Sequence, residues 1–331
     1  MHIILFVVLL MFLISAAPQP ADAQQSKTVP RIGYLSRGYK PTPATPDLKA
    51  EAFREGLRDR GYIEGTNIFV EFRYAEGDAK RFPMLLAELL QLQVDVLVSG
   101  TIHAIRAAKQ ATKTTPILFI TQGDPVADGL VDSLARPGGN LTGLTRFSRE
   151  LSGKRLEIFK EAVPGVSRVG LLGDGGALAI RTRLKEYESA AHALKIQFQS
   201  LEVRDPTHDL TDAFNVAAKR RANGILIVPS PVLDRSAKLI AKFAIKNRLP
   251  SMTEEGHWVE AGSLLSYAAN DAENFRRAAY YVDRILKGSK PADLPVEQPT
   301  KFEFVINLKT ANQIGVTIPP SVLARADRVI R

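Results

Sequence analysis

The stretch Asp95–Asp124, DVLVSGTIHAIRAAKQATKTTPILFITQGD, holds one complete strand, helix and strand unit with its turn chemistry intact. Asp95–Gly100 is a short, Val-rich apolar run, with the length and composition of a strand buried on both faces. Thr101 stands where a helix N-cap would, and good helix formers follow it up to Thr112. Pro116 stops the helix, and Ile117–Thr121 is a second apolar run. Two strands joined by a helix of this length run parallel, with a right-handed crossover. Polar residues therefore collect at the carboxyl ends of the strands: Ser99, Gly100 and Thr101 after the first, Thr121 and Asp124 after the second. Ligands of open α/β sheets bind at that edge. Thr and Asp in front of helices also serve as caps, so each position carries a structural reading beside the binding one.

Outward from this unit the same grammar continues. Upstream lie a strand at Arg31–Ser36, a Pro-rich loop, a helix from Asp47 to about Arg60 closed by Gly61, a strand at Asn67–Tyr74 and a helix from Asp78 to about Leu92. Downstream, Pro125 is expected to open a short helix to about Leu134, followed by a turn at Arg136–Asn140 and a strand at Leu141–Thr145. From Leu151 the alternation restarts: helix to Val163, strand Arg168–Gly173, helix Ile180–Leu194, strand Ile196–Val203, helix Asp209–Arg221, strand Gly224–Pro229, helix Asp234–Asn247 and strand Pro250–Thr253. A strand at Leu264–Ala268, a helix Asp271–Leu286 capped by Asp271, a strand at Lys301–Ile306 and a short helix Leu308–Ile314 depart from simple alternation. Two such rounds predict an α/β fold of two doubly wound, Rossmann-like lobes with parallel sheets, joined by a hinge around Gly143–Leu151.

With 331 residues, 45% of them hydrophobic, the chain is long enough for two such cores. Ile3–Ile14 is an unbroken apolar run, too short to span a bilayer but of signal-peptide length, and Ala21-Asp22-Ala23 is a small-x-small cleavage site. Cleavage after Ala23 would leave Gln24 first and remove one acid and no base, giving 44 bases against 34 acids, or +10 instead of +9. The absence of cysteine excludes disulfides, thiolate metal sites, a cysteine nucleophile and a lipidated N-terminal cysteine. An exported protein without a lipid anchor fits a periplasm. Lys and Arg are scattered, in clusters of three at most (Lys219-Arg220-Arg221, Arg276-Arg277), so the basic balance reads as solvated helix faces and not as a nucleic-acid surface.

Gly173-Asp174-Gly175-Gly176 follows a strand and precedes a helix, but Leu178 stands where a dinucleotide fingerprint needs its third glycine. No phosphate-binding loop and no Gly-x-Ser-x-Gly elbow occurs. The histidines stand alone, without a second one at zinc-helix spacing. Glu254-Glu255 is an acidic pair whose members, adjacent in an extended segment, point in opposite directions. Neither a catalytic constellation, nor a metal site, nor a cofactor is expected.

A binding cleft needs less. Two parallel sheets facing across a hinge bring the loops at their carboxyl edges onto one crevice, with helix N-termini offering N–H groups to a ligand carboxylate. The candidate ligand-binding residues are Ser36, Arg37, Ser99, Gly100, Thr101, Thr121 and Asp124 in the first lobe, Asp174, Ser230 and Glu254 in the second, and Tyr267 and Asn270 at a second crossing between them.

Four segments carry a resemblance: FREGLRDRGYIEGTNIFVEFRYAEGD (Phe53–Asp78), GDPVADGLVDSLARPGGNLTGLT (Gly123–Thr145), LSGKRLEIFKEAVPGVSRVGLL (Leu151–Leu172) and PADLPVEQPTKFEFVINLKTANQIGVTIPPSVLARADRVI (Pro291–Ile330). In these the chain resembles the exported substrate-binding proteins of ABC transporters sometimes called the tryptophan/tyrosine type, with the type I periplasmic-binding fold. The resemblance covers nearly the whole mature chain. It implies an export signal, two lobes joined by three crossovers, and delivery of a small solute to a membrane permease driven by an ATPase, and it leaves the solute open. The lobes are then expected to comprise residues 29–145 with about 269–295, and 146–268 with about 296–331. The expected function is a monomeric periplasmic protein that closes on a small polar or amino-acid-like solute. A sensory module serving a receptor kinase, and an enzyme on a similar scaffold, are the alternatives.

Overall fold

The computed structural model describes residues 29–43, 45–146, 151–174, 178–299 and 301–331, with the side chains of 178–182 left aside. The expected signal peptide (1–23), the core of the expected hinge (147–150) and the second half of the Gly173–Gly176 turn lie outside the described residues.

The first lobe begins with β1 (Arg31–Ser36), α1 (Leu48–Arg58), β2 (Phe69–Tyr74), α2 (Phe82–Gln91), β3 (Val96–Ser99), α3 (Ile102–Ala111), β4 (Ile117–Thr121) and β5 (Leu141–Thr145). Its strands form one all-parallel sheet in the order β2-β1-β3-β4-β5. The second lobe contains α4 (Ser152–Ala162), β6 (Arg168–Asp174), α5 (Leu178–Ala193), β7 (Gln197–Val203), α6 (Pro206–Lys219), β8 (Gly224–Ile227), α7 (Pro231–Asp234), α8 (Ala237–Lys246), β9 (Ser251–Thr253), α9 (His257–Glu260) and β10 (Leu265–Ala269). The chain returns to the first lobe for α10 (Asp271–Leu286) and ends in the second with β11 (Phe302–Asn307), α11 (Leu308–Ile314), α12 (Pro320–Leu323) and β12 (Arg328–Ile330). The second sheet runs β12-β11-β10-β9-β8-β6-β7, and within it β11 is antiparallel to β10.

Period-two alternation along each strand divides the first lobe's core. Ile32, Tyr34, Val96, Val98, Leu118 and Ile120 face α1 and α10, whereas Leu35, Leu97, Ile117 and Phe119 face α2 and α3. Such strands, buried on both sides, read as continuous apolar runs. The second sheet is sandwiched in the same way, by α4 and α5 on one face and α6 and α8 on the other. The return of the chain to the first lobe is sealed by Phe275, Ala278, Ala279 and Val282 of α10, which share a core with Ala50, Phe53 and Leu57 of α1. Val296 and Glu297 still bond to this lobe, through the carbonyls of Leu134 and Gly143.

The departures from expectation are local. Residues 125–134 form successive turns instead of a helix: Leu130 N–H bonds to the Pro125 carbonyl and Gly129 takes φ +68°, which breaks helical hydrogen bonding. The helix expected from Asp78 starts at Phe82, after a 3-10 turn that Asp78 caps. The helix expected from Asp209 begins at Pro206, because Asp205 caps it and Pro206 fits the first turn. The helix expected at Asp234–Asn247 begins at Ala237 as α8, with the separate single turn of α7 (Pro231–Asp234) before it, and α9, α12 and β12 had no sequence signal strong enough to predict them. Asn270, not Asp271, caps α10: its side chain accepts from Glu273 N–H.

In both sheets the strand order reverses beside the first strand of the round, between β1 and β3 and between β6 and β8. Loops leaving the carboxyl ends at such a reversal diverge and open a crevice. Here the two crevices face each other.

Candidate functional site

The facing edges enclose a cavity of about 780 Å³. One wall comes from the loop after β1 (Ser36–Lys40), Lys49 near the start of α1, Gly100–His103 after β3, Thr121 and Gln122 after β4, and Arg146 after β5. The opposite wall is Asp174 after β6, Val228–Pro231 after β8, Asp234 and Arg235, and Glu255 and His257 after β9. The volume lies within the roughly 300–1,000 Å³ typical of small-molecule sites.

Charges at its base join the lobes. Asp47 caps α1 by accepting from Lys49 and Ala50 N–H, which fixes the first turn and sends the Lys49 side chain into the cleft. The Lys49 ammonium lies 3.0 Å from Asp271 at the start of α10 and 3.2 and 3.3 Å from the two carboxylate oxygens of Glu255 across the cleft. Arg146 donates through Nη1 to Asp271 at 2.6 Å and lies 3.7 Å from Glu255. Removal from water would lower the pKa of Lys49, but Glu255 and Asp271 outweigh it and raise it well above the usual lysine range, so Lys49 is an ammonium here. Burial would likewise raise the Asp271 carboxyl, yet Arg146 and Lys49 hold it well below the carboxylate range.

Two histidines of the cleft differ in sign. His103 is lowered by burial, with Arg37 and Arg106 adding to the effect, and stays neutral. His257 would be lowered by burial, but its interactions with Asp234 and Glu255 raise it. At the rim, Arg37 reaches Asp174 of the other lobe at 3.4 Å, and the Arg235 guanidinium lies 4.4 Å over the Tyr39 ring. These contacts bridge the two lobes at the rim of the cavity.

Of the residues expected from sequence, Ser36, Arg37, Gly100, Thr101, Thr121, Asp174 and Ser230 line this cavity. Thr101 occupies the N-cap of α3 without a side-chain capping bond. Thr121 is 1% exposed and its hydroxyl has no partner among the described residues. Ser230 lines the wall and also caps α7. The other five lie off the cavity wall. Ser99 is buried and donates to the Leu35 carbonyl, tying β3 to β1. Asp124 accepts from Val126 and Ala127 N–H and holds the turn after β4. Glu254 points into the second lobe, where Tyr187, Arg183 and Arg155 surround it. Tyr267 packs on Phe302 and Phe304, and Asn270 caps α10.

The model of the ABC transporter substrate binding protein family matches residues 43–330. The chain belongs to this family. It is 24% identical over 271 residues to the tyrosine-binding protein of Clostridioides difficile, covering 82% of this chain and 77% of the relative. A conserved domain protein from Vibrio cholerae superimposes with TM-score 0.80 at 26% identity, over 91% of this chain and 99% of the other. An ABC domain from Streptococcus pneumoniae, in complex with L-Trp, gives TM-score 0.79 at 25% identity, with the same coverage. Similarity extends at 12% identity and TM-score 0.62 to a solute-binding protein from Thermotoga lettingae, which shares the fold.

In this substrate-binding protein the sequence missed Lys49, Arg146, Glu255, His257 and Phe275 on the cleft and Asp271 beside it. Arg146 and Glu255 had a usable signal, since each directly follows a residue already placed at a strand's carboxyl end. Lys49 and Phe275 sit in helices whose faces the sequence assigned to packing, and only the approach of α10 to α1 brings them to the cavity.

Proposed function

We propose that this chain is the solute-capturing component of an ABC importer, in which a small polar or amino-acid-like solute enters between the lobes and holds them shut for delivery to a membrane permease and its ATPase. The observation that carries this reading is the composition of the cavity wall: both sheet edges contribute, and Lys49–Glu255 and Arg37–Asp174 pair across it. A solute touching both edges favours the closed state by as much as it binds that state better than the open one. The tyrosine-binding relative and the L-Trp complex support a solute of amino-acid size. On this reading, residues 29–145 with about 269–295 move against 146–268 with about 296–331, and the protein acts as a monomer without a cofactor and without chemistry on its solute. Residues 1–23 direct export and are removed after Ala23, leaving a periplasmic protein.

Thermal unfolding across a broad metabolite panel tests the reading. A solute at a hundred times its Kd adds about 2.7 kcal/mol to the native state alone. A panel that leaves Tm unmoved, together with no small molecule released from the purified protein, would remove the basis for solute capture. Edman sequencing of the exported protein should begin at Gln24.

A further inference from the structure

Among the described residues, the carboxylates on and beside the cavity already accept hydrogen bonds or face a cation. Asp47 caps α1, Asp174 faces Arg37, Asp234 accepts from the Trp258 indole at 3.0 Å, and Glu260 accepts from Arg328. Glu255 and Asp271 share two cations, Lys49 and Arg146. An incoming ammonium group would need a carboxylate of its own, and the only acidic pair at the base is filled by a lysine of the chain itself. That lysine is held in place by Asp271 at 3.0 Å. Asp271 opens α10, which packs with α1 in one core, so the pair travels together. Each closure therefore delivers the Lys49 ammonium to Glu255. A tethered group of this kind acts at an effective concentration of about millimolar or above, which a dissolved amine must overcome.

The donors show the opposite balance. Arg146 is 5% exposed and its Nε–H has no acceptor among the described residues, although the residue lines the cavity. The Thr121 hydroxyl, in a residue of the neighbouring strand end that also lines the cavity, has no partner among the described residues either. Arg146 N–H bonds to the Thr121 carbonyl, so the two residues are adjacent. The third element is the N-terminus of the ten-residue α3, where Gly100–His103 line the same wall and Thr101 leaves the first amides uncapped. First-turn N–H groups lack intrahelical partners and favour negative charge. A buried donor without an acceptor is unfavourable, so this stretch of wall suits an acceptor group and not a donor.

We propose that the solute of this protein is an organic acid without an ammonium group, its acid group meeting Arg146, Thr121 and the N-terminus of α3, while Lys49 fills the place an amino acid's ammonium would take. This narrows the solute-capture reading and rests on it. An α-amino acid whose ammonium sought the Glu255–Asp271 pair would meet Lys49 and Arg146 already seated there.

The test is isothermal titration of the purified protein with matched sets: 3-phenylpropanoate, its amide and L-phenylalanine, and 4-methylpentanoate, its amide and L-leucine. In parallel, mass spectrometry identifies any solute released on denaturation. The acid of a set should bind at least tenfold more tightly than its amino acid and its amide, and a released solute should be an acid without an amine. An amino acid that binds as well as or better than its acid overturns the proposal, as does an amide equal to the acid or a released solute that carries an ammonium. If no probe binds, the metabolite panel decides: a ligand found there that carries an ammonium or lacks an acid group overturns the proposal, and a panel that leaves Tm unmoved with no solute released is failure of the solute-capture reading itself.

Lys49→Met separates the role of the lysine from the rest. With Glu255 and Asp271 uncovered, the preference for acid over amino acid should fall at least tenfold, whereas Lys49→Arg should retain it. Circular dichroism establishes that each variant is folded. A folded Lys49→Met protein with an unchanged preference overturns the assignment to Lys49.

Discussion

Glu254 and Glu255 are adjacent in the chain and serve opposite sides of one loop. Glu254 lies inside the second lobe, accepting from the Tyr187 hydroxyl at 2.9 Å and from Arg183 at 2.9 Å, with Arg155 3.7 Å away. Glu255 faces the first lobe's Lys49. The Arg155 side chain also donates to the Tyr267 carbonyl, just before the chain crosses back to α10. Glu254 thus anchors the loop that presents Glu255 and ties it to a crossing between lobes.

Glu254→Gln would leave two nearly inaccessible arginines short of their counter-charge. Breaking such a buried group costs about 3–5 kcal/mol. Glu255→Gln acts on a pair whose lysine is about one third exposed, so about 1 kcal/mol or less is expected, with the larger effect on closure. Urea unfolding of both variants measures the difference. A Glu254→Gln loss below about 1 kcal/mol would mean that the cluster does not anchor this loop.

Thr101 and Asp124 resolve in opposite ways a question that is symmetrical in the sequence. Asp124→Ala removes two side-chain bonds that hold the turn after β4 and should cost about 1 kcal/mol of stability, with solute affinity kept. Thr101→Ala removes a hydroxyl that makes no capping bond and lines the cavity, so affinity should fall while the unfolding midpoint holds. Paired titrations and urea curves check both, and a reversal of the two results would return Thr101 to a purely structural role.

That pair also shows what the sequence could and could not disclose. Strand runs such as Val96–Ser99 and Ile117–Thr121 are legible because burial on both faces demands continuous apolar residues, and with them comes the sheet edge where ligands bind. Which polar residue at that edge points into the cavity depends on loop geometry that periodicity does not carry. Asp124 followed by Pro125 looks the same whether a helix or a series of turns comes next. Adjacent residues in an extended segment were known to diverge, which separates Glu254 from Glu255 without saying which one faces the cleft. Lys49 and Asp271 meet only because α10 returns to pack on α1 across more than two hundred residues, a juxtaposition no local pattern encodes.

His257 makes stability depend on pH. Burial acts to lower its pKa, but Asp234 and Glu255 outweigh that and raise it, against the positive charge of nearby Lys49. A base whose folded pKa exceeds its unfolded value of about 6.5 stabilises fully below that pH, and the contribution is lost as pH rises through the folded value. His103 has the opposite sign, lowered by burial and by Arg37 and Arg106, so its share is lost as pH falls below about 6.5. Urea midpoints from pH 6 upward should decline in the wild-type protein, and His257→Gln should flatten that decline. An unchanged slope in His257→Gln would show that the imidazole is not charged by its two carboxylate neighbours.

The approach of α1 to α10 supplies a last expectation, in which two effects of known size compete. Gly56 is buried on α1, and a Cβ placed there would lie 2.2 Å from the Arg276 carbonyl oxygen and 2.9 Å from Ala279 Cβ, both on α10. Helix propensity alone favours Gly56→Ala by about 1 kcal/mol. Against this stands overpacking, typically about 1–3 kcal/mol, at the upper end here because the obstructing atom is backbone and cannot rotate away. Relief requires α10 to move off α1, which would shift Asp271 away from Lys49 and Phe275 from the cavity wall. Gly56→Ala should therefore lose about 1–2 kcal/mol net in urea and weaken solute binding at the same time. A variant that gains stability would mean that the two helices yield readily, and that the position of Asp271 is not set by this contact.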